Sequence, residues 1–123
     1  MTEYEYDLVV VGAGPAGSSA AYAAAKNGIK VALLEKEENV AQTVRTSGVT
    51  WIDYAKEFGI PEDCYNPIRT YNFCSPKNKV SISDEQAKAA VLDVRKTYRF
   101  LADQAKKNGA EIFVSTNVTE VIT

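Results

Sequence analysis

The stretch LVVVGAGPAGSSAAYAAAKNG, residues 8–28, decides how the rest of the chain is interpreted. It runs from four apolar residues through three closely spaced glycines into an alanine-rich segment. The apolar residues predict a strand over residues 4–11, and the uninterrupted valines predict burial on both faces, as in a parallel sheet. The alanine-rich segment predicts a helix over residues 15–27, with Pro15 in its first turn and Gly28 after its end.

A second apolar run, residues 29–34, completes a strand-helix-strand unit whose two strands should lie parallel. The glycines match G-x-G-x-x-G at Gly12, Gly14 and Gly17, and Glu35 follows the second strand. In this context the first glycine permits a tight turn and the second lets a pyrophosphate approach the backbone. The third lets helix and strand pack closely. The pattern therefore predicts a dinucleotide site.

The choice of dinucleotide stays open at this point, because NAD and FAD sites share these elements. N–H groups at the helix N-terminus would face the phosphates, and the Glu35 carboxylate would accept hydrogen bonds from ribose hydroxyls. A carboxylate there disfavours a 2′-phosphate, so NADP is not expected in this slot. The alanine-rich helix favours FAD.

The remaining sequence predicts further elements of an α/β protein. In chain order they are a helix over 51–58, a β-hairpin over 68–82, a short helix over 85–91 capped by Asp84, a helix from 94 to the Asn-Gly pair at 108–109, and strands over 111–115 and 118–122. Trp51, Tyr71, Phe73 and Cys74 are expected to pack in the core. Because the chain stops at an apolar strand with nothing to cover it, the fold is expected to be incomplete.

Composition excludes several classes of function. Fourteen basic and 16 acidic residues give a net charge of −2 without a clustered basic face, so a nucleic-acid partner is not expected. The absence of histidine excludes a histidine base or metal ligand, and no metal site is expected. Cys64 and Cys74 are expected to be reduced. The acidic start and the lack of a long apolar run predict a cytoplasmic protein with at most peripheral membrane contact.

Three segments carry a family resemblance: DLVVVGAGPAGSSAAYAAAKNGIKVALLEK, TVRTSG and LDVRKTYRFLADQAKKNGAEI. With them the chain resembles the N-terminal part of FAD-dependent oxidoreductases of the geranylgeranyl reductase and p-hydroxybenzoate hydroxylase group. The resemblance implies a Rossmann-like FAD/NAD(P)-binding domain over residues 1–123, with a parallel sheet. The inserted hairpin, residues 68–82, would begin the substrate side.

The resemblance also implies a set of cofactor contacts. The pyrophosphate would contact Gly12, Gly14, Ala16 and Gly17, and the adenosine ribose would contact Glu35. The phosphates or sugar would contact Arg45, with backbone contacts from Thr46 and Ser47 beside it. The ribityl side would contact Arg95, and adenine would contact Val118. The residue patterns alone also allow a solvated Arg45, an Arg95 without a cofactor contact and a Val118 that only packs in the core. Archaeal geranylgeranyl reductases usually carry a cysteine where this chain has Thr46.

The implied activity is that of a flavin-dependent oxidoreductase. Hydride would pass from NAD(P)H through FAD to an isoprenoid double bond, and the substrate would be a small or lipid-like organic molecule. The alternative enzyme is an aromatic-ring monooxygenase. Two alternatives from other functional classes are a non-catalytic nucleotide-binding fragment and an NAD sensor. No residue is identified as a catalytic acid, base or nucleophile, which suits chemistry performed by a flavin.

Overall fold

The computed structural model describes residues 2–123, so Met1 of the predicted domain lies outside the described residues. The chain divides into two compact units, residues 2–44 with 98–123 and residues 45–97. Its elements are, in order, β1 (Leu8–Val11), α1 (Pro15–Lys26), β2 (Val31–Leu34), β3 (Val49–Trp51), α2 (Ile52–Glu57), a 3₁₀ turn (Glu62–Cys64), β4 (Tyr65–Ile68), β5 (Thr70–Cys74), β6 (Lys79–Ser83), β7 (Ala89–Leu92), α3 (Val94–Lys107) and β8 (Glu111–Phe113).

The first unit contains a three-stranded parallel sheet in the order β1-β2-β8. Helix α1 connects β1 to β2, which confirms the predicted strand-helix-strand unit. The core lies between this sheet and the alanines of the helices, among them Ala21, Ala25 and Ala105, with Val31 and Leu33 of β2 buried opposite them. Small side chains let the helix backbones approach the sheet closely, so the alanine-rich composition is a packing requirement here.

The burial predicted for both faces of β1 is wrong for this chain. Val10 is partly buried against the core, whereas Val9 and Val11 are 51% and 61% exposed. The physical reason is that α1 packs on the face that carries Val10, while the opposite face, with Val9 and Val11, is left largely uncovered by the described residues 2–123.

The second unit contains an antiparallel sheet in the order β3-β7-β4, with a small core of Ala55, Tyr65 and Ala90. The helix predicted over residues 85–91 is wrong, because the backbone of β7 pairs on one side with β3 and on the other with β4. Asp84 caps no helix, and its carboxylate instead accepts a bond from Lys88 Nζ at 3.1 Å. Sheet pairing on both edges outweighs the helix propensity of the alanines.

Strands β5 and β6 form the predicted hairpin. Tyr71 and Phe73 lie on its apolar face, while the opposite face is polar and carries hydroxyl hydrogen bonds between the strands. The core positions expected for Phe73, Cys74 and Trp51 are wrong, since all three side chains are exposed. A two-stranded sheet has too little surface of its own to cover its apolar face. Both cysteines are free thiols, as expected.

The strand predicted over residues 118–122 is also wrong. After β8 the chain turns at Ser115, whose φ is +50°, and the N–H groups of Ser115 and Thr116 donate to Glu37 O and Glu35 O at 2.8 Å. Residues 118–122 pair with none of the strands described in residues 2–123, so they lack the ladder of hydrogen bonds that defines a strand. Val118 is half-buried without belonging to a strand. In the same range of residues, no helix has both the length and the apolar character needed to cross a bilayer.

Candidate dinucleotide-binding site

A tight turn at Gly12 carries the chain from β1 into α1. The Gly12 N–H donates to Leu34 O at 2.7 Å, which ties the turn to the end of β2. The φ of Gly12 is +96°, a conformation that side-chain-bearing residues rarely adopt. The turn therefore starts at the carboxyl edge of the parallel sheet, where ligands of open α/β sheets bind.

The other two glycines of the motif serve different purposes. A Cβ on Gly17 would lie 1.9 Å from Gly12 O, so only glycine lets the helix pack against the turn. A Cβ on Gly14 would meet nothing within 4 Å, and its φ of −74° suits any residue. The fold therefore requires glycine at 17, whereas at 14 it leaves open space beside the backbone. That space fits a pyrophosphate approaching the main chain.

The N-terminus of α1 is suited to an anion. Gly14 is the N-cap and makes no side-chain capping bond, and the first turn holds no acidic residue. Ser18 N–H donates to Gly14 O, so the N–H groups of Ala16 and Gly17 precede the first helical bond. Together with the helix dipole they can hold a phosphate group.

Glu35 is fixed beside this turn. One carboxylate oxygen accepts the N–H of Ala13 at 2.9 Å and the other accepts the N–H of Glu37 at 3.0 Å. Each oxygen keeps a second lone pair for a ribose hydroxyl. A direct hydrogen bond from Ala13 thus links the glycine turn to the carboxylate that is predicted to contact ribose. Sequence patterns miss Ala13 as an anchor, because it acts through a backbone N–H that any residue but proline would offer.

A set of hydrogen bonds in the loop after β2 could not be predicted from the sequence either. The carboxylate of Glu37 accepts two bonds from Thr43, from its N–H at 3.1 Å and from its hydroxyl at 2.8 Å. Arg99 on α3 donates its Nε–H to Val40 O at 3.2 Å. These bonds shape the loop that leads away from Glu35. An acidic residue six positions before a threonine is too common a pattern to reveal them.

The structure brings together part of the predicted site. Five of the predicted residues lie around one turn of the first unit: Gly12, Gly14, Ala16, Gly17 and Glu35. Val118 belongs to the same unit.

The other predicted contacts lie elsewhere in the chain. Arg45, Thr46, Ser47 and Arg95 belong to the second unit and have exposed side chains, and their contacts with a cofactor stay predictions. The Thr46 hydroxyl oxygen accepts the Gly48 N–H at 3.3 Å, which gives Thr46 a local role in its own turn.

A parallel strand-helix-strand unit, a glycine turn with open space at its second glycine and a carboxylate at the end of the second strand define a Rossmann-like dinucleotide-binding protein. Residues 7–123 match the model of the FAD dependent oxidoreductase family, and the chain belongs to that family. FAD is the cofactor of the family, which resolves the choice between FAD and NAD.

Known proteins similar to this chain include two archaeal relatives. The digeranylgeranylglycerophospholipid reductase of Methanocaldococcus jannaschii is 40% identical over 115 residues, which cover 90% of this chain and 29% of that protein. A Methanosarcina barkeri protein, named only as an uncharacterized protein in the nifH2 5′ region, is 35% identical, with 97% of this chain and 70% of that protein covered.

Among solved structures, a geranylgeranyl bacteriochlorophyll reductase-like protein of Thermoplasma acidophilum superposes with a TM-score of 0.78 at 30% identity. The superposition covers 89% of this chain and 30% of that one. The chain thus spans less than a third of the length of the reductases that it matches.

Proposed function

We propose that this chain is the FAD-binding part of a reductase that acts on isoprenoid double bonds. The observation that carries the proposal is the arrangement around the glycine turn. The turn leaves open space beside Gly14, and the N–H of Ala13 in the same turn donates to the Glu35 carboxylate. The names of the matched reductases, which specify a geranylgeranylated lipid, support the substrate class. When bound, FAD would accept hydride from a reduced nicotinamide and deliver it to the substrate.

The predicted site residues of the first unit have binding roles in this proposal. Gly14 and the N–H groups of Ala16 and Gly17 would bind the pyrophosphate, because they offer unobstructed backbone donors at the positive end of α1. Glu35 would bind the adenosine ribose, since its carboxylate is held in place by two backbone N–H groups. Val118 would touch adenine.

The second unit would complete the cofactor contacts. Arg45 would neutralise phosphate charge, with Thr46 and Ser47 giving backbone contacts, and Arg95 would reach the ribityl side. The hairpin of β5 and β6 would begin the substrate side, and residues 1–123 would form one FAD-binding domain. Thr46 stands where archaeal geranylgeranyl reductases usually carry a cysteine, so the proposal assigns no step of the reaction to this position.

An aromatic-ring hydroxylase stays the alternative, but no feature of the described residues favours it over a reductase. The two differ in what the reduced flavin meets, molecular oxygen or a carbon–carbon double bond. Steady-state oxygen consumption by the full-length reduced protein, with and without an isoprenoid substrate, separates them.

The FAD-binding part of the proposal is tested by titrating FAD into three forms of the 123-residue chain and following flavin fluorescence. Gly14→Val fills the open space beside the turn, and Ala23→Val adds the same kind of bulk to an exposed position of the same helix. We expect the wild type and Ala23→Val to bind equally and Gly14→Val to bind at least about tenfold more weakly, a loss of about 1.4 kcal/mol. Equal binding by all three forms, or binding by none, would contradict the proposed site.

A further inference from the structure

Two of the chain's asparagines are followed by glycine, and both pairs lie at the end of a helix. Asn27 and Gly28 follow α1, and Asn108 and Gly109 follow α3. Glycine is the neighbour that most favours spontaneous deamidation of asparagine, because it has no side chain to obstruct attack by its own backbone nitrogen. The proposed function assigns no role to either pair.

The end of α1 holds both groups that this reaction needs. The side-chain nitrogen of Asn27 donates to Ala23 O at 2.7 Å, and the N–H of Gly28 donates to Ala25 O at 3.0 Å. The φ of Gly28 is +81°, as expected for the glycine that ends a helix in a Schellman motif. The attacking nitrogen and the amide that it would attack are therefore each bonded to a carbonyl of the helix.

Helix α3 ends in the same way. The side-chain nitrogen of Asn108 donates to Gln104 O at 2.8 Å, and the N–H of Gly109 donates to Lys106 O at 3.1 Å. The φ of Gly109 is +110°. Both helices contribute buried alanines to the core of the first unit, so the two pairs end the two helices on which that core depends.

We propose that Asn27 and Asn108 are sites of spontaneous deamidation that their helix ends keep closed while the first unit is folded. In this reaction the glycine nitrogen loses its proton and bonds to the asparagine Cγ, and the side-chain nitrogen leaves as ammonia. Water then opens the cyclic imide and leaves aspartate or isoaspartate. Because both reacting groups are hydrogen-bonded to the helix, ring closure requires the last helical turn to open first.

Reaction at either position also removes the bond that keeps it closed. A carboxylate accepts hydrogen bonds and donates none, so the product cannot repeat the bond from Asn27 to Ala23 O. It also adds a negative charge at a helix C-terminus, where the helix dipole is already negative. The released ammonia does not return, so the modification accumulates in molecules whose helix ends open. The proposal does not depend on whether the chain binds FAD.

The segment after β8 provides an internal reference. Asn117 is exposed and lies outside every helix and strand described in residues 2–123, and Val118→Gly gives it the same glycine neighbour. Peptide mass spectrometry follows all three pairs in this variant at mildly alkaline pH, with the wild-type chain as a check on positions 27 and 108. In buffer we expect position 117 to react at least about tenfold faster than the other two, which corresponds to about 1.4 kcal/mol for opening a helix end. In concentrated urea all three should react at similar rates.

Substitutions that reproduce the product test its effect on the fold. Asn27→Asp and Asn108→Asp each remove the donor and add the charge, whereas Asn117→Asp adds the same charge at an exposed position away from the helices. In urea titrations we expect each of the first two to raise the unfolding equilibrium constant about fivefold, through the lost hydrogen bond and the unfavourable dipole. Asn117→Asp should leave that constant unchanged.

Three results would overturn the proposal. Equal rates at all three positions in buffer would show that the helix ends do not control the reaction. Slow reaction at positions 27 and 108 in urea, where position 117 reacts quickly, would show that neither is a deamidation site. Wild-type stability of both Asn27→Asp and Asn108→Asp would show that the product leaves the helix ends intact.

Discussion

Replacing Gly17 by alanine should destabilise the first unit, although alanine is the better helix former. The added Cβ would lie 1.9 Å from Gly12 O, and the two atoms must separate by about 1.5 Å to reach ordinary van der Waals contact. Overpacking of this kind costs about 1–3 kcal/mol, whereas alanine gains at most about 1 kcal/mol over glycine within a helix. The middle of the first range, about 2 kcal/mol, less the full gain leaves a net loss of about 1 kcal/mol, which corresponds to a melting temperature lower by roughly 4–8 °C for a unit of this size.

Gly14→Ala is the matched control for this experiment. It adds the same methyl group three positions earlier, at an ordinary φ and with nothing within 4 Å. Its urea midpoint without ligand should equal that of the wild type or lie slightly above it, because alanine restricts the unfolded chain. Urea titrations followed by circular dichroism compare the two variants. If Gly17→Ala were as stable as Gly14→Ala, the close approach of helix and turn would be refuted as the reason for Gly17.

Two further predictions concern the second unit. Burial raises the pKa of the Cys64 thiol while Cys74 is exposed, so maleimide at neutral pH should modify Cys74 first, and mass spectrometry of labelled peptides would show the opposite order if this burial were wrong. The hydrogen bond from Lys96 lowers the pKa of the Asp63 carboxyl, so the small stabilisation of the folded state is present above about pH 4 and lost as the pH falls through the lowered pKa. Asp63→Asn should therefore lower the urea midpoint at pH 7, and by less as the pH falls through that lowered pKa, with Glu62→Gln as the control; an effect that does not change with pH would contradict the ion pair.

The strand-helix-strand unit could be predicted from sequence because its signals are local and agree with one another. The apolar runs, Pro15 after the glycine turn and the glycine spacing all specify the same order of elements. The helix from Val94 was predicted for a similar reason, since its apolar residues share one stripe that the structure buries at Ala102 and Ala105.

The errors arose where a segment's structure depends on distant partners. Residues 89–92 look helical by composition and become a strand because β3 and β4 flank them. Residues 118–122 look like a strand and form none, since they pair with no strand described in residues 2–123. Exposure of Val9, Trp51 and Phe73 could not be predicted either, since residue type indicates what a side chain prefers and not which surfaces are present to cover it.

The candidate site also has features that the sequence could predict and features that it could not. Glycine spacing and Glu35 could be identified in the sequence because each requires a particular residue type. The anchoring of Glu35 by the Ala13 N–H could not, because backbone donors leave no trace in residue identity.

The two hydrogen bonds of Glu35 have a thermodynamic consequence for ligand binding. A free glutamate side chain loses conformational entropy worth up to about 2 kcal/mol when it is immobilised. Here that entropy is lost on folding, because both carboxylate oxygens already hold backbone N–H groups before any ligand arrives. A ribose that meets this carboxylate encounters a pre-ordered acceptor, so the contact contributes to affinity without a further ordering penalty on the protein side.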